Sequence, residues 1–195
     1  MLSINMESLF SDEKDLIVQA IREATHNIYT YYNSKERTCT WLLDLGNDIC
    51  DVCSFWTGKT YVGSQKEKDI ENAFQSFFEA LMNLLLDMKH SANDYEKNVA
   101  NAMLYQGTVY RYLGKNHTHK GKVVPIYNDI YVSWSKQPEN HYLLSKLFGK
   151  ITWISCEIKE PLYGIDLEVI GCSRANEQEV VFPTKEPCIT EVKYI

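Results

Sequence analysis

The chain has 195 residues, 45% of them hydrophobic, and a formal net charge of −6 at pH 7. That length suits one domain or a domain with an added lobe, and the apolar share can fill a core without disulfide staples. The acidic balance argues against a general nucleic-acid binder, which carries a basic patch, and no apolar run has the length of a membrane span. The first sixteen residues include Glu7, Asp12 and Glu13 and show no basic-then-apolar leader, so a reducing cytoplasm is the expected setting. In that setting the six cysteines (39, 50, 53, 156, 172 and 188) are expected to be free thiols.

The first half repeats apolar residues at helical spacing. Leu16, Ile17, Ala20, Ile21, Ala24 and Ile28 predict one amphipathic helix, and Trp41, Leu42, Leu45, Ile49 and Val52 predict a second. Cys50 and Cys53 fall late in that second helix rather than at a helix start in a βαβ unit, and no further ligands match a zinc spacing, so they read as core or partly buried thiols. Gly58-Lys59-Thr60 imitates the end of a phosphate-binding loop, but Cys53 stands where that loop needs glycine. The strongest stripe is Ile70, Ala73, Phe74, Phe77, Phe78, Leu81, Leu84, Leu85 and Met88, introduced by a capping box from Ser64 to Glu67. A fourth helix is expected over about 94–105, ending at Gly107 in a left-handed cap.

After Gly107 the spacing becomes strand-like. Residues 108–113, 123–127, 130–135, 151–158, 180–182 and 189–195 are short and rich in β-branched and aromatic side chains, and Gly, Pro and Asn separate them. One short helix is expected over 139–148, and His117 and His119 in a polar connection. Helices followed by strands predict an α+β domain spanning 1–195: a helical lobe over 1–106 packed on a mostly antiparallel β core over 107–195.

Three strand segments hold polar residues where apolar ones would be ordinary. Arg111 sits mid-strand between β-formers. Ser133 and Ser135 flank Trp134, so both hydroxyls point to one side of a strand and the indole to the other. Glu177 and Glu179 likewise share a face at the mouth of the apolar segment Val180-Val181-Phe182-Pro183, where two like charges are costly unless a cation meets them or one is protonated. Taken singly, each has an ordinary explanation, as an ion-pair arginine, solvent-facing serines or a solvated acidic face.

Their order is more specific. Arginine, then Ser-x-Ser, then Glu-x-Glu running into Val-Val-Phe-Pro resembles the arginine–serine–glutamate branch of the mono-ADP-ribosyltransferases, which includes cholera-like and actin-modifying toxins and vertebrate ecto-enzymes. The resemblance covers about 108–195, with Glu177 to Pro183 its most specific piece and Gly164-Ile165 similar to a glycine-led segment upstream. It implies an ADP-ribosyltransferase-type core with NAD as substrate and no metal. Arg111 would bind the NAD phosphates and ribose, Ser133 would hold the nicotinamide ribose and help position the glutamate, and Ser135 would support the strand. Glu179 would be the catalytic carboxylate, and Glu177 would orient an acceptor guanidinium. The implied partner is a target protein presenting an arginine, with no nucleic acid or membrane partner. An enzyme of this kind acts in the cytoplasm or is delivered into a host cell by a route without a cleaved signal peptide. Trp134 stands where the family commonly has threonine, and Ser133 follows Arg111 more closely than in the better-known toxins.

The chemistry gives two acids separate tasks. Cleaving the N-glycosidic bond of NAD produces an oxocarbenium-like transition state, which a fixed anion stabilises, and the nicotinamide ring is already cationic in NAD and departs neutral, so no general acid is required. An arginine acceptor is protonated at neutral pH, so a second carboxylate can hold it. An NAD glycohydrolase, with water as acceptor, and a catalytically silent binding or inhibitor protein on the same fold are the alternatives.

Overall fold

The computed structural model describes residues 6–58, 65–113, 118–119, 122–123, 131–138, 152–171, 178–183 and 189–194, with side chains at 15–56, 68–111, 131–138, 154–171 and 178–183. The chain forms two compact units, Met1–Lys97 and Asn98–Ile195. The boundary falls inside a helix rather than at Gly107, because the change of periodicity marks where helix gives way to strand, not where packing changes partners.

The first unit is helical: α1 (Met6–Asn33), α2 (Cys39–Gly58), α3 (Gln65–Lys89) and the start of α4 (Asp94–Met103). The apolar stripes are its core. Ile21, Ala24 and Ile28 of α1, Leu42, Leu45, Ile49 and Val52 of α2, and Ile70, Phe74, Phe77, Phe78, Leu81 and Met88 of α3 are all buried. Full burial of one such Phe or Leu is worth about 1.5–3 kcal/mol. The stripe of α1 begins differently from expectation: Val18 is buried, whereas Leu16 is 65% exposed. Stepping back from Ile28 through Ala24 and Ile21 at helical spacing reaches Val18, which leaves Leu16 on the outer side.

Local capping explains where two helices start. The Thr38 hydroxyl accepts the Trp41 N–H at 3.1 Å ahead of α2, and Asn93 Oδ1 accepts the Tyr95 N–H at 2.9 Å ahead of α4. Between α1 and α2, Arg37 reaches Asp87 at 2.6 Å and Glu96 at 3.6 Å, while the Tyr31 hydroxyl donates to Glu96 at 2.8 Å. The buried Glu96 carboxylate is thereby both paired and hydrogen-bonded, as an ion held out of water must be. The capping box expected at Ser64 and Glu67 lies outside the described side chains.

The second unit carries the strands, in a chain that is α+β as expected. β1 (Leu104–Tyr105), β2 (Gly107–Leu113), β5 (Tyr131–Ser135), β6 (Thr152–Ile158), β7 (Gly164–Asp166), β8 (Glu179–Pro183) and β9 (Ile189–Tyr194) form one sheet in the order β1-β7-β8-β5-β2-β6-β9. Every pairing in it is antiparallel. β3 (Thr118–His119) and β4 (Lys122–Val123) make a separate ribbon, so His119 lies in a strand rather than in a connection. The short helix expected over 139–148 and residues 124–130 lie outside the described residues.

α4 ends at Met103, short of the expected 105, and Gly107 is not its cap. Gly107 opens β2 with φ +143°, and a Cβ there would come within 2.7 Å of the Tyr105 hydroxyl. The glycine is needed because the Tyr105 side chain folds back over it, its hydroxyl donating to the Thr108 carbonyl at 3.1 Å.

One face of the sheet is apolar. Val109, Trp134, Ile154, Cys156, Ile158, Val180 and Phe182 form a single buried cluster drawn from four strands. The Trp134 indole N–H, which needs a partner once buried, donates to the Phe182 carbonyl at 3.2 Å. Gly164 lies against this cluster, where a Cβ would meet Val180 Cγ1 at 2.5 Å and Ile158 Cδ1 at 3.1 Å.

Among the described residues no helix is long and apolar enough to cross a membrane, and no group of three or more His, Cys, Asp and Glu side chains is placed to hold a metal ion. Cys39, Cys50, Cys53 and Cys156 are free thiols, Cys53 and Cys156 being buried. Cys172 and Cys188 lie outside the described residues.

Candidate functional site

Opposite the apolar cluster, a polar row crosses four neighbouring strands. Glu179 of β8 pairs with Ser135 of β5, Ser135 with Tyr110 of β2, and Tyr110 with Ser155 of β6. Directly paired residues of antiparallel strands share a face, so these four side chains stand on one side of the sheet. Glu179 is 3% exposed and Ser155 4%. A carboxylate so withdrawn from water acts on anything beside it through a low local dielectric, where a fixed charge has its largest effect.

The backbone delivering Glu179 is held from both sides. The Lys136 N–H donates to the Gln178 carbonyl at 3.1 Å, and the Leu167 N–H donates to the Glu179 carbonyl at 2.9 Å. Gln178 itself has φ +42°, in the left-handed region that a non-glycine residue rarely adopts. This turn lets the chain enter β8 with Glu179 opposite Ser135 and with Val180 and Phe182 on the apolar side.

The two serines differ. The Ser135 hydroxyl accepts the Gln137 N–H at 3.0 Å and donates to the Gln137 carbonyl at 3.1 Å, closing a tight turn after β5. Ser133 lies two residues back on the same face, opposite Val181, and is exposed. It is diagonal to Glu179 rather than opposite, and such neighbours lie about 7–8 Å apart, somewhat less between Cβ atoms. Trp134, between them, turns into the core as strand alternation requires.

Arg111 is not brought to this row. Its partner on β6 is Ile154 of the apolar cluster, and alternation along β2 puts it on the side of Val109, opposite Tyr110. Arg111 also lies where β2 parts from β5: the two strands are joined through the Tyr110–Ser135 pair, whereas β2 and β6 stay in register from Gly107 to Leu113. Arg111 is half-buried, and burial pushes its pKa down to about 10. Among the described residues no carboxylate pairs with it. Glu177 lies outside the described residues.

At the same end of β8, but on the face opposite Glu179, stands a charged cluster that the order of motifs does not reveal. Lys136 Nζ donates to Asp166 at 3.2 and 2.9 Å and to Glu168 at 2.6 Å, and lies 5.7 Å from the centre of the Tyr105 ring. Burial alone would lower the Lys136 pKa, but Glu168 and Asp166 outweigh it and raise it. The sequence signal for this cluster is weak: a lysine directly after Ser-x-Ser, and an Asp in the apolar Gly164-Ile165 segment that needs a cation once buried. No family model matches the chain, and no curated protein or solved structure matches it.

Proposed function

We propose that this chain transfers ADP-ribose from NAD to an arginine side chain of a target protein, on a fold of the ADP-ribosyltransferase type. The observation that carries the reading is the Glu179–Ser135–Tyr110–Ser155 row, with a buried carboxylate at the entrance of a strand whose backbone is held by neighbours on both sides.

In this reading Glu179 stands beside the nicotinamide ribose. The C1′–N bond breaks with its electron pair passing to nicotinamide, which leaves neutral, and the positive charge that develops on the ribose is met by the Glu179 carboxylate. Preorganised groups of this sort contribute about 3–4 kcal/mol each in a water-poor site. Ser133, exposed on the same face, donates to the ribose, while Ser135 keeps the end of β5 in its turn. A guanidinium nitrogen of the acceptor then bonds to C1′ and gives up its proton, with Glu177 as the carboxylate that orients it. Arg111, next to the Tyr110–Ser135 pair that joins β2 to β5, is in this reading the cation for the NAD phosphates; a half-buried cation without a carboxylate partner among the described residues suits a dianionic ligand.

The register that turns Arg111 towards Ile154 favours a second reading, a non-catalytic binding protein. Incubating the purified chain with NAD labelled in its adenylate half and a cell lysate separates these. Label in a discrete protein band supports transfer, and free ADP-ribose supports hydrolysis. Label in neither supports the non-catalytic reading.

A further inference from the structure

We infer that Lys136 is a positioning residue for Glu179, acting as a clamp between the end of β5 and the segment that follows β7; the inference rests on the transferase reading for its catalytic part. Lys136 acts at two levels. Its backbone N–H holds the Gln178 carbonyl at 3.1 Å, immediately before the carboxylate. Its ammonium gathers Asp166 and Glu168, and Asp166 in turn accepts the Glu168 N–H at 3.1 Å. Leu167, the residue between those two acids, donates its N–H to the Glu179 carbonyl at 2.9 Å. One residue, by its backbone N–H on one side and its ammonium on the other, therefore links the two backbone groups that hold Glu179.

The setting makes the clamp strong. The Lys136 side chain is 17% exposed and that of Asp166 10%, so this arm of the pair is shielded from salt and water, while Glu168 at 43% closes the outer side. Asp166 pairs with Val180 on the apolar face. Without Lys136 it would be a carboxylate beside the core with one backbone N–H as its remaining described partner, and the turn 166–168 would reopen towards water. Gln178 makes this consequential. A non-glycine residue at φ +42° stays there while its surroundings hold it, and the hydrogen bond to its carbonyl comes from Lys136. The backbone N–H remains in Lys136→Met, but without the ammonium's ties the backbone of residue 136 is less fixed, so that Gln178 can relax, and the next residue to move is Glu179.

The test compares the full chain with Lys136→Met and Lys136→Arg by amide hydrogen exchange and by nicotinamide release. Lys136→Met should speed exchange at the residue 136 and Leu167 amides at least tenfold, while Val109 and Ile154 in the sheet core stay protected. It should lower kcat by about ten- to a hundredfold with KM for NAD within about twofold, since a displacement of about 1 Å at a reacting group has that effect. Lys136→Arg should restore most of both. If Lys136→Met folds poorly, Glu168→Gln removes the half-exposed arm and should move both readouts the same way by less. Unchanged local exchange in these variants overturns the clamp, as does a loss of protection spread evenly over the sheet. Faster local exchange in a chain whose wild type releases no nicotinamide keeps the clamp and removes the transferase reading.

Discussion

Replacing Arg111 by methionine is expected to stabilise the protein and to abolish NAD binding in one step. Burial pushes the guanidinium pKa down to about 10, and among the described residues no carboxylate pairs with it. At about 1.4 kcal/mol per tenfold change in proton affinity, holding the cation there costs about 3 kcal/mol at neutral pH. The sign follows from linkage: a cation whose pKa falls on folding destabilises the folded state at every pH below the folded value, and the cost fades only as pH rises above about 10. Methionine keeps the unbranched apolar stem beside Ile154 and discards the charge. Because Arg111 is only half-buried, solvent screens part of that cost, so a net stabilisation of about 1–3 kcal/mol is expected. For a chain of this length that raises Tm by about 2–9 °C, measurable by scanning calorimetry. Titration calorimetry of the same variant should show no NAD binding. A lower Tm would mean that Arg111 has a structural partner, and an unchanged dissociation constant for NAD would remove it from the site.

Three further outcomes are expected, two from the geometry and one from the proposed chemistry. Gly164→Ala should lose about 1–3 kcal/mol in a denaturant titration, because its Cβ would overlap Val180 Cγ1 in a packed core. NAD affinity of the wild type should fall as pH rises through about 10, by up to about tenfold per pH unit, as Arg111 gives up its proton; Lys136, whose pKa is raised, keeps its clamp through the lower part of that range. Glu177→Gln should abolish transfer to the arginine analogue agmatine while slow NAD hydrolysis persists, since an amide holds a guanidinium less well than a carboxylate does and water needs no such orientation.

Periodicity made the helices readable because a buried stripe repeats over many turns: Ile70 through Met88 all lie where helical spacing puts them, and Phe74, Phe77 and Phe78 are fully buried. It failed at the ends. Leu16 belonged to no core, and Gly107 took its left-handed φ to admit the Tyr105 side chain rather than to cap α4, since a positive φ alone does not say which neighbour demands it. In the strands, the alternation Ser133-Trp134-Ser135 correctly sent the indole to the core, because two-residue periodicity is local. Which residues meet across strands is not local. That Ser135 rather than Ser133 lies opposite Glu179, and that Arg111 pairs with Ile154, depends on register, which is fixed by pairing between segments far apart in the chain. Lys136, Asp166 and Glu168 escaped notice for the same reason: each is an ordinary surface residue type until folding gathers them.

Glu179→Gln tests the central claim most directly. The amide fills the same volume in the same buried position opposite Ser135, so the fold and NAD affinity should be retained while the charge that the proposal sets beside the ribose is lost. Nicotinamide release, followed with saturating NAD in the presence and absence of agmatine, should fall by about a hundred- to ten-thousandfold in both conditions. A folded Glu179→Gln variant that kept more than half of the wild-type rate would contradict the assignment of Glu179 as the catalytic carboxylate.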